Sequence, residues 1–228
     1  MWIDVLLVVG AYLYGAFPVV YLLGRMRGYD LRQEEDMHSG LWHKVGRVEG
    51  FSGIAWDVVK GGIAVALVDV LLDVDRGTVV GVGVAVVAGM MWSVFLGFEG
   101  EKGNTTSLGV AGALSYQALP FCLVPILLGV GIRTVPRLLD SKQALDERLK
   151  FGGPPSLSLP LGMLVAFALF PVGCWWVGES WETIGGAIAI FCLIVIKRVT
   201  DGLLPDLRTA DNKKSVLLNR VLIDRSYL

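Results

Sequence analysis

Residues 108–132 read LGVAGALSYQALPFCLVPILLGVGI, an apolar stretch of 25 residues with prolines at positions 120 and 125. How this stretch passes through a bilayer decides the fold. One helical crossing of a hydrocarbon core about 30 Å thick uses about 20 apolar residues, so the stretch suffices for one crossing and falls short of the roughly 40 residues that two would take. The charges around it demand an even number of passes. Arg133, Arg137, Lys142, Arg148 and Lys150 follow it, Arg25, Arg27, Arg32, Lys44 and Arg47 mark an earlier connection, and Arg208, Lys213, Lys214, Arg220 and Arg225 lie in the tail. Residues 73–78 hold one basic residue, Arg76, and residues 178–183 none. The positive-inside rule puts the basic connections and the tail in the cytoplasm and the two poor loops outside, so residues 108–132 must start and finish on the cytoplasmic side. Pro120 and Pro125 each remove a helix hydrogen bond and clash with the preceding turn. We expect two short helices that enter and return, either half-depth or with the first lengthened by the glycine-rich loop before it.

Working outward, the remaining apolar blocks are residues 2–23, 53–72, 79–98, 157–177 and 184–196, the last one short. The expected fold is an all-α, polytopic helical membrane protein: six apolar blocks forming seven membrane helices, with the N-terminus outside and the C-terminus cytoplasmic. Residues 1–198 form the helical membrane domain and residues 199–228 a cytoplasmic tail. Residues 213–228 read either as an interfacial helix, with Leu217 and Val221 on one face interrupted by Asp224, or as a plain solvated one. Trp2, Trp175, Trp176 and Trp181 lie at the ends of apolar runs, where an amphipathic ring prefers the headgroup zone. Asp4 stands where a signal peptide would carry Lys or Arg, so the first run reads as a retained helix.

Composition agrees with this reading. The 228 residues are 54% hydrophobic and 18% charged with 29 glycines, and the mean hydropathy is +0.62. That excludes disorder and a soluble enzyme of average composition. A formal net charge of -1 gives no basic field for nucleic acid, so any anion site is local. Cys122, Cys174 and Cys192 lie in apolar runs without ligand spacing and read as packing residues.

Two polar strings need a reason. Asp57 and Lys60 share a helix face inside an apolar block, where opposite charges at this spacing can meet. They read either as a pair snorkelling at a helix end or as part of a site. Between residues 97 and 109 the chain runs GFEGEKGNTTSLG. Its glycines permit close backbone approach, Lys102 adds a point charge, and Thr105, Thr106 and Ser107 offer hydroxyls at a helix start whose dipole favours anions. A phosphate cradle and an ordinary tight connection both remain open, because Glu99 and Glu101 oppose Lys102. The order is not that of a Walker A loop. His38 and His43 near Glu34, Glu35 and Asp36 match no zinc spacing and read as a solvated loop, with no metal expected.

On these residues the chain resembles the bacterial integral-membrane glycerol-3-phosphate acyltransferases that use acyl phosphate as donor. The resemblance runs through Gly15-Ala16-Phe17-Pro18, Tyr21-Leu22, Gly24, Asp30-Leu31-Arg32, Asp57-Val58-Val59-Lys60-Gly61, Trp92-Ser93, Gly100, Lys102-Gly103, Thr106-Ser107-Leu108-Gly109 and Ser156-Leu157-Ser158. It implies transfer of a fatty acyl group from acyl phosphate to glycerol 3-phosphate, giving lysophosphatidic acid in phospholipid synthesis, at the cytoplasmic side of the cell membrane and without a cofactor. Lys102 with the backbone of Gly100 and Gly103 would bind the substrate phosphate, Thr106 and Ser107 would assist, and Asp57 and Lys60 would support the site. Ser39, Arg32 and Arg198 are further positions the resemblance draws toward it. No catalytic residue is assigned. Membrane lipid, both substrates and the soluble enzyme that makes acyl phosphate are the implied partners. The departures fall on polar positions. The family's glycine-rich phosphate stretch is replaced by residues 33–42, of which Ser39 and Gly40 remain, its Gly-His is Gly89-Met90, and Glu101 interrupts its Gly-Gly-Lys-Gly. A non-catalytic relative that binds lipid, an acyl intermediate or a partner protein is the alternative. A small transporter is a third reading, for which no internal repeat speaks.

Overall fold

A computed structural model describes residues 2–34, 36–142, 157–209 and 212–224. Eleven α-helices are found among them: α1 (Trp2–Ala16), α2 (Val19–Met26), α3 (Met37–Gly40), α4 (Arg47–Leu71), α5 (Arg76–Met91), α6 (Asn104–Leu114), α7 (Leu119–Leu139), α8 (Ser158–Trp176), α9 (Trp181–Thr200), α10 (Leu203–Thr209) and α11 (Lys213–Ile223). Five stretches are long and apolar enough to cross a membrane: α1 with α2, α5 with the turn after it, α7, α8 and α9. Their outward faces are apolar too, as lipid demands, with Leu6, Leu127, Leu128 and Val172 exposed. Trp2, Trp175, Trp176 and Trp181 are also exposed at helix ends. The core is a seam of Val65, Val82, Val86, Phe167, Phe170, Ile190 and Ile194.

The break between α1 and α2 follows from Pro18, which has no N–H to continue the ladder. Ser93 compensates by donating its hydroxyl to Ala16 O at 2.6 Å, and Tyr12 OH donates to Trp92 O at 2.6 Å, so the end of α5 is tied to the end of α1. Close backbone approach makes the two tightest crossings. A Cβ on Gly89 would stand 2.1 Å from Tyr12 O, and one on Gly109 1.8 Å from Val58 O. Small residues of this kind let membrane helices pack backbone to backbone where no hydrophobic force drives them together.

The stretch 108–132 splits at Ser115–Ala118, but the halves are unequal. At about 1.5 Å per residue α6 is roughly 16 Å long and half-depth, whereas the 21 residues of α7 make a full crossing. Half-depth therefore does not hold for the second half: α7 continues through Arg133 to Leu139, since charged side chains near a membrane surface do not end a helix. Likewise α9 is not short. Ser180 caps it by accepting from Thr183 N, and it runs 20 residues to Thr200. α7 and α8 pack antiparallel, Phe121 facing Gly173, Pro125 facing Gly162 and Gly129 facing Ser158. At one end of the bundle Arg76 gathers three connections: its guanidinium donates to Leu114 O at 2.6 Å and Thr183 Oγ1 at 3.1 Å and pairs with Asp69 at 3.2 Å. Hence α6 runs toward the Arg76 end and α7 returns. The tail is docked rather than free, α11 packing against α8 and α9.

Candidate functional site

At the end of the bundle away from Arg76, the connections after α2 and after α5 meet on α4, and the second also meets the end of the tail helix. Asp36 caps α3 by accepting from His38 N at 2.9 Å and Ser39 N at 3.3 Å. This short helix and the π turn at Leu41–Val45 press His38 onto α4. There Asp57 and Lys60, each 1% exposed, form an ion pair with Lys60 Nζ 3.0 Å from Asp57 Oδ1. His38 Nε2 lies 3.0 Å from the other oxygen, Oδ2. Lys60 Nζ also donates to Gly15 O at 3.3 Å and meets Met90 Sδ at 3.0 Å. The snorkelling reading of this pair is thus not what the structure shows: both groups are desolvated, and such a pair persists only with satisfied partners.

A small cavity opens beside the pair. Its walls are apolar (Ala16, Pro18, Val20, Leu96) and its floor polar (Asp57, Lys60, Glu101). Gly100 fits here because a Cβ would collide with Met90 O at 2.3 Å. Burial raises the Glu101 carboxyl to about 8, with Asp36 and Asp57 adding to the shift and His38 and Lys102 opposing it. Its Oε1 is buried with no hydrogen-bond partner among the described residues. Burial pulls His38 down, but Glu101, Asp57 and Asp36 outweigh it and hold the imidazole at about 9. Asp57 thus faces two cations, Lys60 and His38, while burial disfavours ionisation of the neighbouring Glu101.

Lys102 follows directly, and its Nζ reaches Asp224 Oδ2 at 2.6 Å. Gly103 then turns the chain with φ +72 into α6. Asn104 Oδ1, Thr106 Oγ1 and Ser107 Oγ are buried in this first turn with no partner among the described residues. Unsatisfied buried polar groups are costly, and of these three the Thr106 and Ser107 hydroxyls can donate, so the turn that follows Lys102 marks a place for a hydrogen-bond acceptor such as an anion. Arg198, 1% exposed on α9, donates to Val221 O at 3.2 Å and Pro160 O at 3.0 Å, and the Asp224 charge acts on it.

Of the residues expected from sequence, the structure gathers Asp57, Lys60 and Gly100 at the cavity and sets Thr106 against Gly61 on α4, while Lys102 pairs with Asp224, whose charge also reaches Arg198, and Gly103 and Ser107 lie in the turn into α6. Ser39 sits on α3 in the turn capped by Asp36. Arg32 points elsewhere: it is exposed, bonded to Asp30 Oδ1 at 3.0 Å and Oδ2 at 2.6 Å, and stacked 5.5 Å over Tyr21. His38 departs from its reading as a solvated loop residue, because its partner Asp57 lies on another helix; His43 is exposed as expected. Sequence reasoning also missed Glu101 and Asp224 as site residues. Asp224 left one signal, as the acid interrupting the apolar face of α11.

The family model described as glycerol-3-phosphate acyltransferase matches residues 5–201. Glycerol-3-phosphate acyltransferase 4 of Dehalococcoides mccartyi (strain CBDB1) is 29% identical over 98% of this chain and 89% of that protein. Glycerol-3-phosphate acyltransferase 5 of Dehalococcoides mccartyi (strain ATCC BAA-2266 / KCTC 15142 / 195) is 30% identical with the same coverage. Among solved structures, PlsY (YgiH), an integral membrane glycerol 3-phosphate acyltransferase, superposes in its lysophosphatidic acid form with a TM-score of 0.68 at 22% identity, over 90% of this chain and 92% of that one. Its glycerol 3-phosphate form gives 0.67 at 24% identity.

Proposed function

The chain belongs to the glycerol-3-phosphate acyltransferase family, and from that premise we propose that it acylates glycerol 3-phosphate with acyl phosphate as donor, yielding lysophosphatidic acid and inorganic phosphate. The observation that carries this reading is the first turn of α6, directly after Lys102, where the Thr106 and Ser107 hydroxyls are buried with no partner among the described residues. A phosphate placed there accepts from Thr106 and Ser107 hydroxyls and backbone N–H groups, and takes the Lys102 charge. Arg198 supplies a second cation from α9 and Ser39 a further hydroxyl from α3; Arg32 acts only if it leaves Asp30.

In the transfer, the 1-hydroxyl of glycerol 3-phosphate attacks the acyl carbonyl carbon. The new ester C–O bond forms as the bond to phosphate breaks, and the hydroxyl proton leaves with the phosphate. No protein nucleophile is needed, because the donor is activated; alignment of two anions and stabilisation of the departing one lower the barrier. The ion pair of Asp57 and Lys60 with His38 supports this site as a fixed electrostatic floor. The acyl chain lies against the apolar wall near Pro18 and Leu96, and each buried CH₂ contributes about 0.8 kcal/mol.

The topology belongs to the same proposal: seven membrane helices, the 25-residue α4 and the short α6 joining the five long segments, with the N-terminus outside. The membrane domain spans 1–198, and the tail 199–228 and the site face the cytoplasm, where the soluble enzyme that makes acyl phosphate delivers the donor. A relative that binds these ligands without turning them over is the second reading, favoured by Lys60 facing the thioether of Met90, a weak acceptor. Reconstituted protein given labelled glycerol 3-phosphate and either acyl phosphate or acyl thioester separates the readings. Product from acyl phosphate alone supports the proposal, and binding without product from either donor supports the second.

A further inference from the structure

We propose that Asp224 is a built-in competitor for the substrate phosphate: the C-terminal helix seats its carboxylate on Lys102, and an anionic substrate has to displace it. This deepens the reading of Lys102 as a phosphate-binding residue and rests on it.

The contact is constructed from several directions. Asn212 opens α11 by accepting from Lys214 N and Ser215 N, both at 3.2 Å. Val216 and Ile223 are buried on the bundle side. Arg220, also buried, clamps the helix: its guanidinium donates to the carbonyl oxygens of Asp201 and Gly202 and to the carboxylate of Asp206. Arg198 returns the clamp by donating to Val221 O. Each guanidinium thus holds the backbone of the other's segment, which fixes where α11 ends. There Asp224 turns left-handed at φ 59, a conformation that Asp and Asn tolerate better than other side chains. Its carboxylate lies 2.6 Å from Lys102 Nζ, only 11% exposed, within the field of Arg198.

Lys102 thus pairs with this carboxylate and Arg198 feels its charge, while in the turn that follows Lys102 the Thr106 and Ser107 hydroxyls have no partner among the described residues. A carboxylate answers the ammonium but leaves the α6 turn unsatisfied. A phosphate brings one more oxygen and about one more charge, so it can satisfy both and displace the tail. While the tail is seated, apparent affinity for the anion is reduced by the fraction of molecules with Lys102 free. The device shifts half-saturation to a higher substrate concentration by that same factor.

The test uses the full chain in detergent, with inorganic phosphate and glycerol 3-phosphate as probes. Affinity is measured by calorimetry and tail release by tryptic cleavage after Arg220, which is buried when the tail is docked. Asp224→Asn, which keeps the left-handed turn accessible, is expected to bind both anions several-fold more tightly than the unaltered chain. Arg220→Gln, which loosens the clamp and keeps the carboxylate, shifts affinity the same way. In the unaltered chain either anion speeds cleavage after Arg220, and Lys102→Met makes that cleavage fast without anion. If the unaltered chain binds the anions and neither Asp224→Asn nor Arg220→Gln binds more tightly, the competitor is overturned and the phosphate reading stands. If no variant binds either anion, the phosphate reading falls and takes the competitor with it.

Discussion

His38 Nε2 and Asp57 Oδ2 stand 3.0 Å apart, and Lys60 holds the other Asp57 oxygen at the same distance. One buried carboxylate thereby answers two cations, one from the connection before α4 and one from α4 itself. It is the joint between the membrane helices and the polar loops that form the site.

Removing the carboxylate charge leaves both cations buried without an anion. Breaking a buried pair in this way costs about 3–5 kcal/mol. Asp57→Asn is expected to lower the thermal midpoint of the detergent-solubilised protein sharply, and the double variant Asp57→Asn/Lys60→Met to recover part of the loss. Equal midpoints for Asp57→Asn and the unaltered chain contradict the joint.

Stability should also fall as pH rises. Glu101 and His38 both bind protons more strongly folded than unfolded, Glu101 with its carboxyl raised from 4.5 to about 8 and His38 raised from 6.5 to about 9. The His38 contribution is fully present below 6.5 and lost as pH passes about 9; the burial of Glu101 becomes an increasing penalty between 4.5 and about 8. The thermal midpoint should therefore drop between pH 6.5 and 9. Glu101→Gln flattens both parts of that profile, because the Glu101 charge is also the largest cause that raises His38, whereas His38→Gln flattens mainly the upper part. A midpoint rising over this range contradicts both assignments.

Helix crossings make a separate prediction. Gly109→Ala drives a methyl to within 1.8 Å of Val58 O, while a Cβ on Gly131 in α7 meets nothing within 4 Å. Gly109→Ala should abolish monodisperse elution from size-exclusion chromatography. Gly131→Ala should be neutral or slightly stabilising, since alanine is favoured over glycine in a helix by about 1 kcal/mol.

The hydroxyls of α6 separate binding from folding. Because the Thr106 and Ser107 hydroxyls have no partner among the described residues, Thr106→Val and Ser107→Ala remove no hydrogen bond seen there and should leave the thermal midpoint unchanged or higher. If they hold a phosphate, each should raise KM for glycerol 3-phosphate by roughly 10- to 100-fold, the loss of a charge-assisted hydrogen bond worth about 1.5–3 kcal/mol. A lowered midpoint with unchanged KM assigns them to packing instead.

Much of the helical frame was legible because a bilayer imposes length: the apolar blocks became helices, and the prolines of residues 108–132 announced a divided block, whereas the break at Pro18 inside the first block was not foreseen. Helix ends were less legible. Charged residues at Arg133 and Lys197 ended apolar runs while the backbone went on, since a snorkelling side chain does not interrupt the ladder. In the site, Asp57 and Lys60 could be paired from their spacing on one helix, and Lys102 with Thr106 and Ser107 from their position at a helix start. His38 and Asp224 could not, because each finds its partner on a different element, and no local period encodes a contact between the short helix α3 and α4 or between the tail and the connection from α5 to α6.

The central claim is that Lys102 and the first turn of α6 hold the phosphate of an acyl acceptor. It is tested most directly by transfer of labelled glycerol 3-phosphate into the lipid fraction by the reconstituted protein with acyl phosphate, comparing the unaltered chain with Lys102→Ala. The account predicts labelled lysophosphatidic acid from the unaltered chain, and loss of nearly all of it in Lys102→Ala without loss of folded protein. Undiminished product from Lys102→Ala would contradict it.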